Sequence, residues 1–287
     1  MANLKAIRKR IQGVAGTQQL TRAMKLVAAA KLRRAQESAL AQRPYAEALG
    51  KIIGHLGNRL EEGAHPLLAK RPMKKALLLL YSSDRGLCGA FNLNICRAGE
   101  QFIQGQADDG VEVAVAAIGK KGFEFMQGRE YPVVHNYQDL FADITFDSIS
   151  RIGNELAAEY VKGDYDGLFV LYNQFKSPAV QRVTLQQVLP VSLEDTDADD
   201  NLVEHLFEPS KEELLDAVFP MYVNLQLFQA LLESVASEMG ARMTAMDNAT
   251  NNAADLIKRL TLIYNKARQE TITRELMDIV GGAEALS

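Results

Sequence analysis

The pattern of apolar positions divides this chain into three stretches. In the last quarter, Leu225, Phe228, Leu232, Val235, Met239, Arg242, Met246, Ala249, Ala253, Leu256, Leu260, Ile263 and Ala267 follow one another in steps of three and four, all apolar or alanine except Arg242. A sustained alternation of this kind keeps a narrow stripe facing a partner helix, as in one strand of a coiled coil. No proline follows Pro220, so about 65 residues at ~1.5 Å each are free to run as one helix roughly 100 Å long. Such a length is well beyond the usual core helix.

Residues 1–60 predict a second long helix. Leu4, Ile7, Ile11 and Val14 open the same rhythm, which returns at Ala28, Leu32, Ala35 and Ala39. Between them the seam positions are Gln18, Thr21 and Lys25, while Leu20, Met24 and Val27 form a neighbouring stripe. The apolar face is therefore expected to drift around the helix, as across a stutter. Pro44 is expected to kink rather than end it, because Tyr45, Leu49, Ile52, Ile53 and Leu56 continue the pattern. Gly57, Gly63 and Pro66 mark its end.

Residues 73–205 read differently. Strands are expected at 75–83, Val111–Ile118, Tyr131–His135, Gly167–Tyr172 and Val180–Val191, with helices near Phe91–Gln104, Lys120–Met126 and Ser148–Val161. This alternation predicts an α/β domain with a mostly parallel sheet, its last strand antiparallel at an edge. An acidic run at 194–201 reads as a solvated loop, and Ser210 to Glu213 reads as a capping box that opens the C-terminal helical segment, 210–287. Two long helices separated by a compact domain pair antiparallel if they pair at all.

Charge sharpens the picture. Residues 1–43 hold ten cations against Glu37 alone, a balance of +9, and the chain's net charge of −4 leaves −13 for the rest. A basic helix on an acidic body suggests an anionic partner. The longest apolar run, Ala76–Tyr81, is far short of a membrane span, and MANLKAIRKRIQG lacks the apolar block of a secretory signal. Cys88 and Cys96 make no disulfide framework and fit a reducing compartment. The histidines, His55, His65, His135 and His205, show no metal-ligand spacing, so no metal site is expected.

Candidate chemistry is thin. Ser83 to Gly89 and Gly119 to Gly122 each follow a strand, but neither matches G-x-x-x-x-G-K-[ST] or G-x-G-x-x-G. There is no G-x-S-x-G elbow. Turn glycines explain these loops better than phosphate binding, and a packing role explains Cys88 better than a reactive thiol. Catalytic residues: none. A small nucleotide-binding α/β protein, a nucleic-acid binder using the basic helix and a membrane-surface helix remain as alternatives.

Thr17-Gln-Gln-Leu-Thr-Arg-Ala-Met-Lys-Leu-Val-Ala-Ala-Ala-Lys31, Tyr264-Asn-Lys-Ala-Arg-Gln-Glu-Thr-Ile-Thr-Arg-Glu-Leu-Met-Asp278 with Ile279-Val-Gly-Gly-Ala283, and Ser82-Ser-Asp-Arg-Gly-Leu-Cys-Gly89 together resemble the gamma subunit of F-type ATP synthases, across essentially the whole chain. The cysteine-bearing insertion of the chloroplast type is missing. The resemblance implies a long antiparallel two-helix coiled coil made by the two terminal segments, with an inserted Rossmann-like α/β domain. It implies a non-catalytic central-stalk rotor inside a ring of three alpha and three beta subunits, standing on the epsilon subunit and the membrane c-ring. ATP and magnesium would bind the ring, so no cofactor and no nucleic acid is expected here. Membrane contact would be indirect, at the cytoplasmic face of a bacterial inner membrane. Met24 and Lys25 match the contact with an acidic loop of beta; Arg242, Arg268, Gln269, Thr273 and Glu275 match polar contacts with ring loops.

Antiparallel pairing with the N-terminus near Leu262–Lys266 makes partnered residue numbers total about 270. Gln18, Thr21 and Lys25 would then face Ala245–Asn252, a polar seam that sets register. Residues 268–287 would lack a helical partner, leaving Leu276, Ile279, Val280, Ala283 and Leu286 to fray or to lie in an apolar sleeve on another protein.

Overall fold

The structure is a computed structural model that describes residues 4–57, 65–141, 144–192 and 211–284. The acidic run at 194–201, Ser210, Gly63 and Leu286 lie outside the described residues, as do the side chains of Lys211, Glu212 and Ala283. Among the described residues the α-helices and β-strands follow in chain order: α1 Leu4–Gly57, β1 Lys75–Tyr81, α2 Phe91–Asp108, β2 Glu112–Ile118, α3 Lys120–Gln127, β3 Val133–Tyr137, α4 Phe146–Lys162, β4 Gly167–Ser177, β5 Val180–Leu189 and α5 Lys211–Glu284. The chain separates into two compact units, 1–28 with 243–287 and 29–242. Both long helices contribute to each.

The larger unit is built on a five-stranded sheet of order β3-β2-β1-β4-β5. The first four strands are parallel, and β5 pairs antiparallel with β4 at the edge, as the sequence suggests. β1 is central because its ALLLLY run is apolar on both faces and buried at every position. α4 shows how local chemistry sets its ends. Thr145 accepts the Ser148 N–H at the start, and Gly163 closes the helix in the left-handed region at φ 86°.

α5 departs from the expected seam in this unit. From Leu215 to Ala241 nearly every face is covered, and Leu225, Leu227, Phe228, Leu231, Leu232, Val235 and Met239 join one core with the strands and with Leu32, Ala35, Leu49 and Ile53 of α1. A helix apolar around its whole circumference is a core helix. This stretch of the heptad pattern therefore packs into the α/β body as well as keeping coiled-coil spacing. α5 is also long and apolar enough to cross a membrane by length and composition alone, but half of its most apolar window is buried inside the protein.

The smaller unit pairs the first turns of α1 with residues 243–284 of α5. The covered stripe on α1 runs straight through Leu4, Ile7, Ile11, Val14, Gln18, Thr21, Lys25 and Ala28. No stutter occurs. Leu20, Leu26 and Val27 are 61, 65 and 58% exposed, so the apolar neighbouring stripe points to solvent while polar side chains hold the seam. Thr21 and Lys25 hold it because each finds a partner there. On α5 the stripe continues through Ala253, Ile257, Leu260, Tyr264 and Ala267, and the expected Leu256 and Ile263 are exposed instead. Both choices keep a three-four rhythm; stepping by four after Ala253 rather than three moves the seam one residue. Helix α1 passes Pro44 without ending.

Candidate functional site

In an open α/β sheet a nucleotide sits beyond the carboxyl ends of the strands where the strand order reverses. Here that place lies between β1 and β4, and α5 fills it. Tyr81, the last residue of β1, donates its hydroxyl to Leu227 O at 2.9 Å. β4 outruns β1 past Leu171, which leaves backbone N–H groups facing the gap. Asn173 N donates to Ser234 Oγ at 3.2 Å and Phe175 N to Glu233 Oε2 at 2.7 Å, while Ser237 Oγ donates to Asn173 O at 2.8 Å. Side chains of the helix thus satisfy the backbone groups that a ligand would otherwise meet.

The loop after β1 is equally self-contained. Ser83 N donates to Asn92 Oδ1, Ser83 Oγ donates to Arg85 O, and Asp84 Oδ1 accepts the Lys120 N–H. Ser82 Oγ accepts from Gly122 N and lies against the Ile118 and Gly119 carbonyls. A Cβ at Gly119 would stand 2.0 Å from Ser82 O, and its φ is +87°, so close backbone packing explains this glycine. Cys88 and Cys96 are buried, and burial raises both thiols, Cys96 to about 12. They are packing residues by environment.

Arg242 belongs to the same surroundings. Its Nη1 lies 2.6 Å from Glu238 Oε1 and its Nη2 donates to Gly86 O at 3.1 Å, with side chains 12 and 3% exposed. The guanidinium therefore ties α5 to the β1 loop. Glu238 was not singled out by sequence reasoning, although its position four residues before Arg242 is the spacing of a helical ion pair.

In the smaller unit the polar seam is built from cross-helix pairs. Thr21 and Thr250 bring their Oγ1 atoms to 2.8 Å, and Lys25 Nζ reaches Asp247 Oδ1 at 2.7 Å. Residue numbers total 271 for the first pair and 272 for the second, close to the register expected from sequence. Thr21 is buried; the Lys25 and Asp247 side chains are 38 and 45% exposed. Asp247 is the partner that sequence reasoning did not single out.

Met24 is half-buried beside this seam, and Arg268, Gln269, Thr273 and Glu275 are exposed on α5. Every residue from Ile272 to Gly281 is exposed, including Leu276, Ile279 and Val280 at 57, 68 and 53%.

Comparison with known proteins agrees with this arrangement. The family model described as ATP synthase matches residues 3–286. The ATP synthase gamma chain of Geobacter metallireducens is 48% identical over 286 residues, covering all of this chain and 99% of the relative. That of Anaeromyxobacter dehalogenans is 44% identical over 289 residues, covering both chains fully. Among solved structures, a chain of the Tetrahymena thermophila mitochondrial ATP synthase central stalk and c-ring is 26% identical with a TM-score of 0.64, over 80% of this chain and 99% of that one. A chain of the Euglena gracilis mitochondrial ATP synthase shares the fold at 19% identity, with a TM-score of 0.68 over 99% and 94% of the two chains.

Proposed function

The chain belongs to the ATP synthase gamma-chain family, and from that premise we infer that it is the central-stalk rotor subunit of an F1Fo ATP synthase. It couples ion flow through the membrane c-ring to ATP synthesis in the alpha–beta ring by rotating, and catalysis belongs to other subunits. The observation that carries this reading is the bare apolar end of α5, Leu276, Ile279 and Val280. A sleeve of apolar groups around such an end supplies contact area without directional bonds, so the helix turns within it at little cost.

The polar contacts follow from the same reading. Met24 and Lys25 face an acidic loop of a beta subunit, and Arg268, Gln269, Thr273 and Glu275 meet loops of the ring higher on α5. Arg242, tied to Glu238 and Gly86, keeps further guanidinium N–H donors for a ring contact. The α/β domain stands on epsilon and the c-ring, and the paired stretches of α1 and α5 in the smaller unit form the coiled coil. The complex lies at the cytoplasmic face of a bacterial plasma membrane.

The test is reconstitution. Co-expression with alpha and beta subunits, with a bead attached through a cysteine at the exposed Val161, should give one-way rotation during ATP hydrolysis. An ATPase-active assembly in which this chain stays fixed would refute the rotor assignment.

A further inference from the structure

We propose that His135, Glu155 and Glu159 form a binding site for one divalent transition-metal ion, with zinc the best fit. Linear spacing conceals the group. His135 lies on edge strand β3, and the two glutamates sit four apart on α4, so one helix face presents both carboxylates to the strand. One ligand-capable atom from each residue lies within 4.8 Å of the other two. Bonds of ~2.1 Å in a tetrahedral site place ligand atoms roughly 3.4 Å apart, so modest side-chain rotation closes the set.

His135 Nε2 stands 2.9 Å from Glu159 Oε1 and 3.1 Å from Oε2, hydrogen-bond distances that an ion taking the place of the shared proton would widen to ~3.4 Å. Glu155 Oε1 is 4.0 Å from the other ring nitrogen, Nδ1, so Glu155 reaches an ion on Nε2 only by rotation of its half-exposed side chain. Its other oxygen accepts the Tyr137 hydroxyl at 2.8 Å, which orients the carboxylate as outer partners of metal ligands do. The Tyr137 ring also stacks on the imidazole, with centroids 5.7 Å apart at 10°. His135 and Glu159 are 20 and 23% exposed, sheltered but open to solvent.

Charge selects a cation. Two carboxylates four residues apart on one helix repel, and a dication held between them balances both. A cavity of about 400 Å³ adjoins His135 and Glu159, lined also by Glu112 and Asp164 against Lys75. It leaves room for water to complete the coordination. One nitrogen and two oxygens favour zinc, nickel or cobalt over magnesium or calcium, which prefer all-oxygen sets. Metal bound here would pin the sheet edge to α4.

The experiment titrates the chelator-treated full chain with zinc by calorimetry, and with cobalt by its visible absorption. One equivalent should bind, zinc should raise the unfolding midpoint, and H135N or E159Q should each abolish saturable binding. C88S/C96S, H55N and H205N should bind as wild type does, which excludes the thiols and the other histidines of those variants. Absence of saturable binding to the wild-type chain, or binding that survives H135N or E159Q, overturns the site and leaves His135 and Glu159 as a simple hydrogen-bonded pair.

Discussion

Thr21 and Thr250, 229 positions apart in the chain, meet hydroxyl to hydroxyl at 2.8 Å across the paired helices. Thr250 also reaches Met246 O and Thr21 reaches Gln18 O, each about one turn back on its own helix. A slip of either helix by one residue would turn a hydroxyl out of the seam and strand its partner, so the pair locks register. Thr21→Cys with Thr250→Cys should therefore crosslink under mild oxidation, since disulfides require close Cβ atoms. Leu20→Cys with Thr250→Cys, whose first position faces solvent, should not. Gel mobility under non-reducing conditions reads both, and the opposite preference would disprove the register.

Lys25 and Asp247 test how much their ion pair contributes to the fold. Both side chains are more than a third exposed, and pairs of this kind contribute only about 0.2–1 kcal/mol. A double-mutant cycle of Lys25→Ala and Asp247→Ala by urea denaturation should give a coupling in that range. If Lys25 also meets a beta subunit, Lys25→Ala should lower ATP-driven rotation well beyond what the small stability change explains. Normal rotation in that variant would remove Lys25 from the contact set.

Glu238 and Arg242 form the buried counterpart. Burial raises the Glu238 carboxyl above its ordinary value of 4.5; Arg242 pulls it down, helped by Lys31 and opposed by Asp84. A carboxyl raised by folding contributes fully below that ordinary value and loses its contribution as pH rises through the folded value. Arg242→Ala removes the main offset and extends the loss. The variant should be destabilised by about 3 kcal/mol near pH 7 and distinctly less near pH 4, as read from urea midpoints. Equal losses at the two pH values would show that the pair is not electrostatically coupled.

Gly119→Ala should be among the most damaging single-methyl changes. The added carbon meets the Ser82 carbonyl, which is backbone and cannot rotate aside, and the φ of +87° adds strain. A loss of about 3 kcal/mol or more is expected from strain and clash together. Gly13→Ala, with open space around it, should instead stabilise α1 by roughly 0.5–1 kcal/mol. Thermal melts of the two variants check the contrast.

Leu276→Asp separates folding from assembly. Leu276 is 57% exposed, so its replacement should change the stability of the isolated chain by less than about 0.5 kcal/mol. In the assembled enzyme a carboxylate in an apolar sleeve should slow rotation or lower the yield of complex. A variant that assembles and turns as wild type does would show that this end is not enclosed.

The sequence alone determined the helical character of both ends and a sheet of mostly parallel strands with an antiparallel edge. These are local properties: a three-four rhythm, apolar runs such as Ala76–Tyr81 and short loop signatures are written in neighbouring residues. Only the tertiary structure decided which of two equally regular stripes each helix buries. On α1 a polar seam won over the apolar Leu20 and Val27 because Thr250 and Asp247, more than 200 residues away, supply partners for Thr21 and Lys25. On α5 the seam moved to Ile257 and Tyr264, and the segment before Arg242 became a core helix because the α/β unit offers apolar surface on every side of it. The grouping of His135 with Glu155 and Glu159 was equally out of reach, since the fold, and not their spacing, sets a strand edge against a helix face.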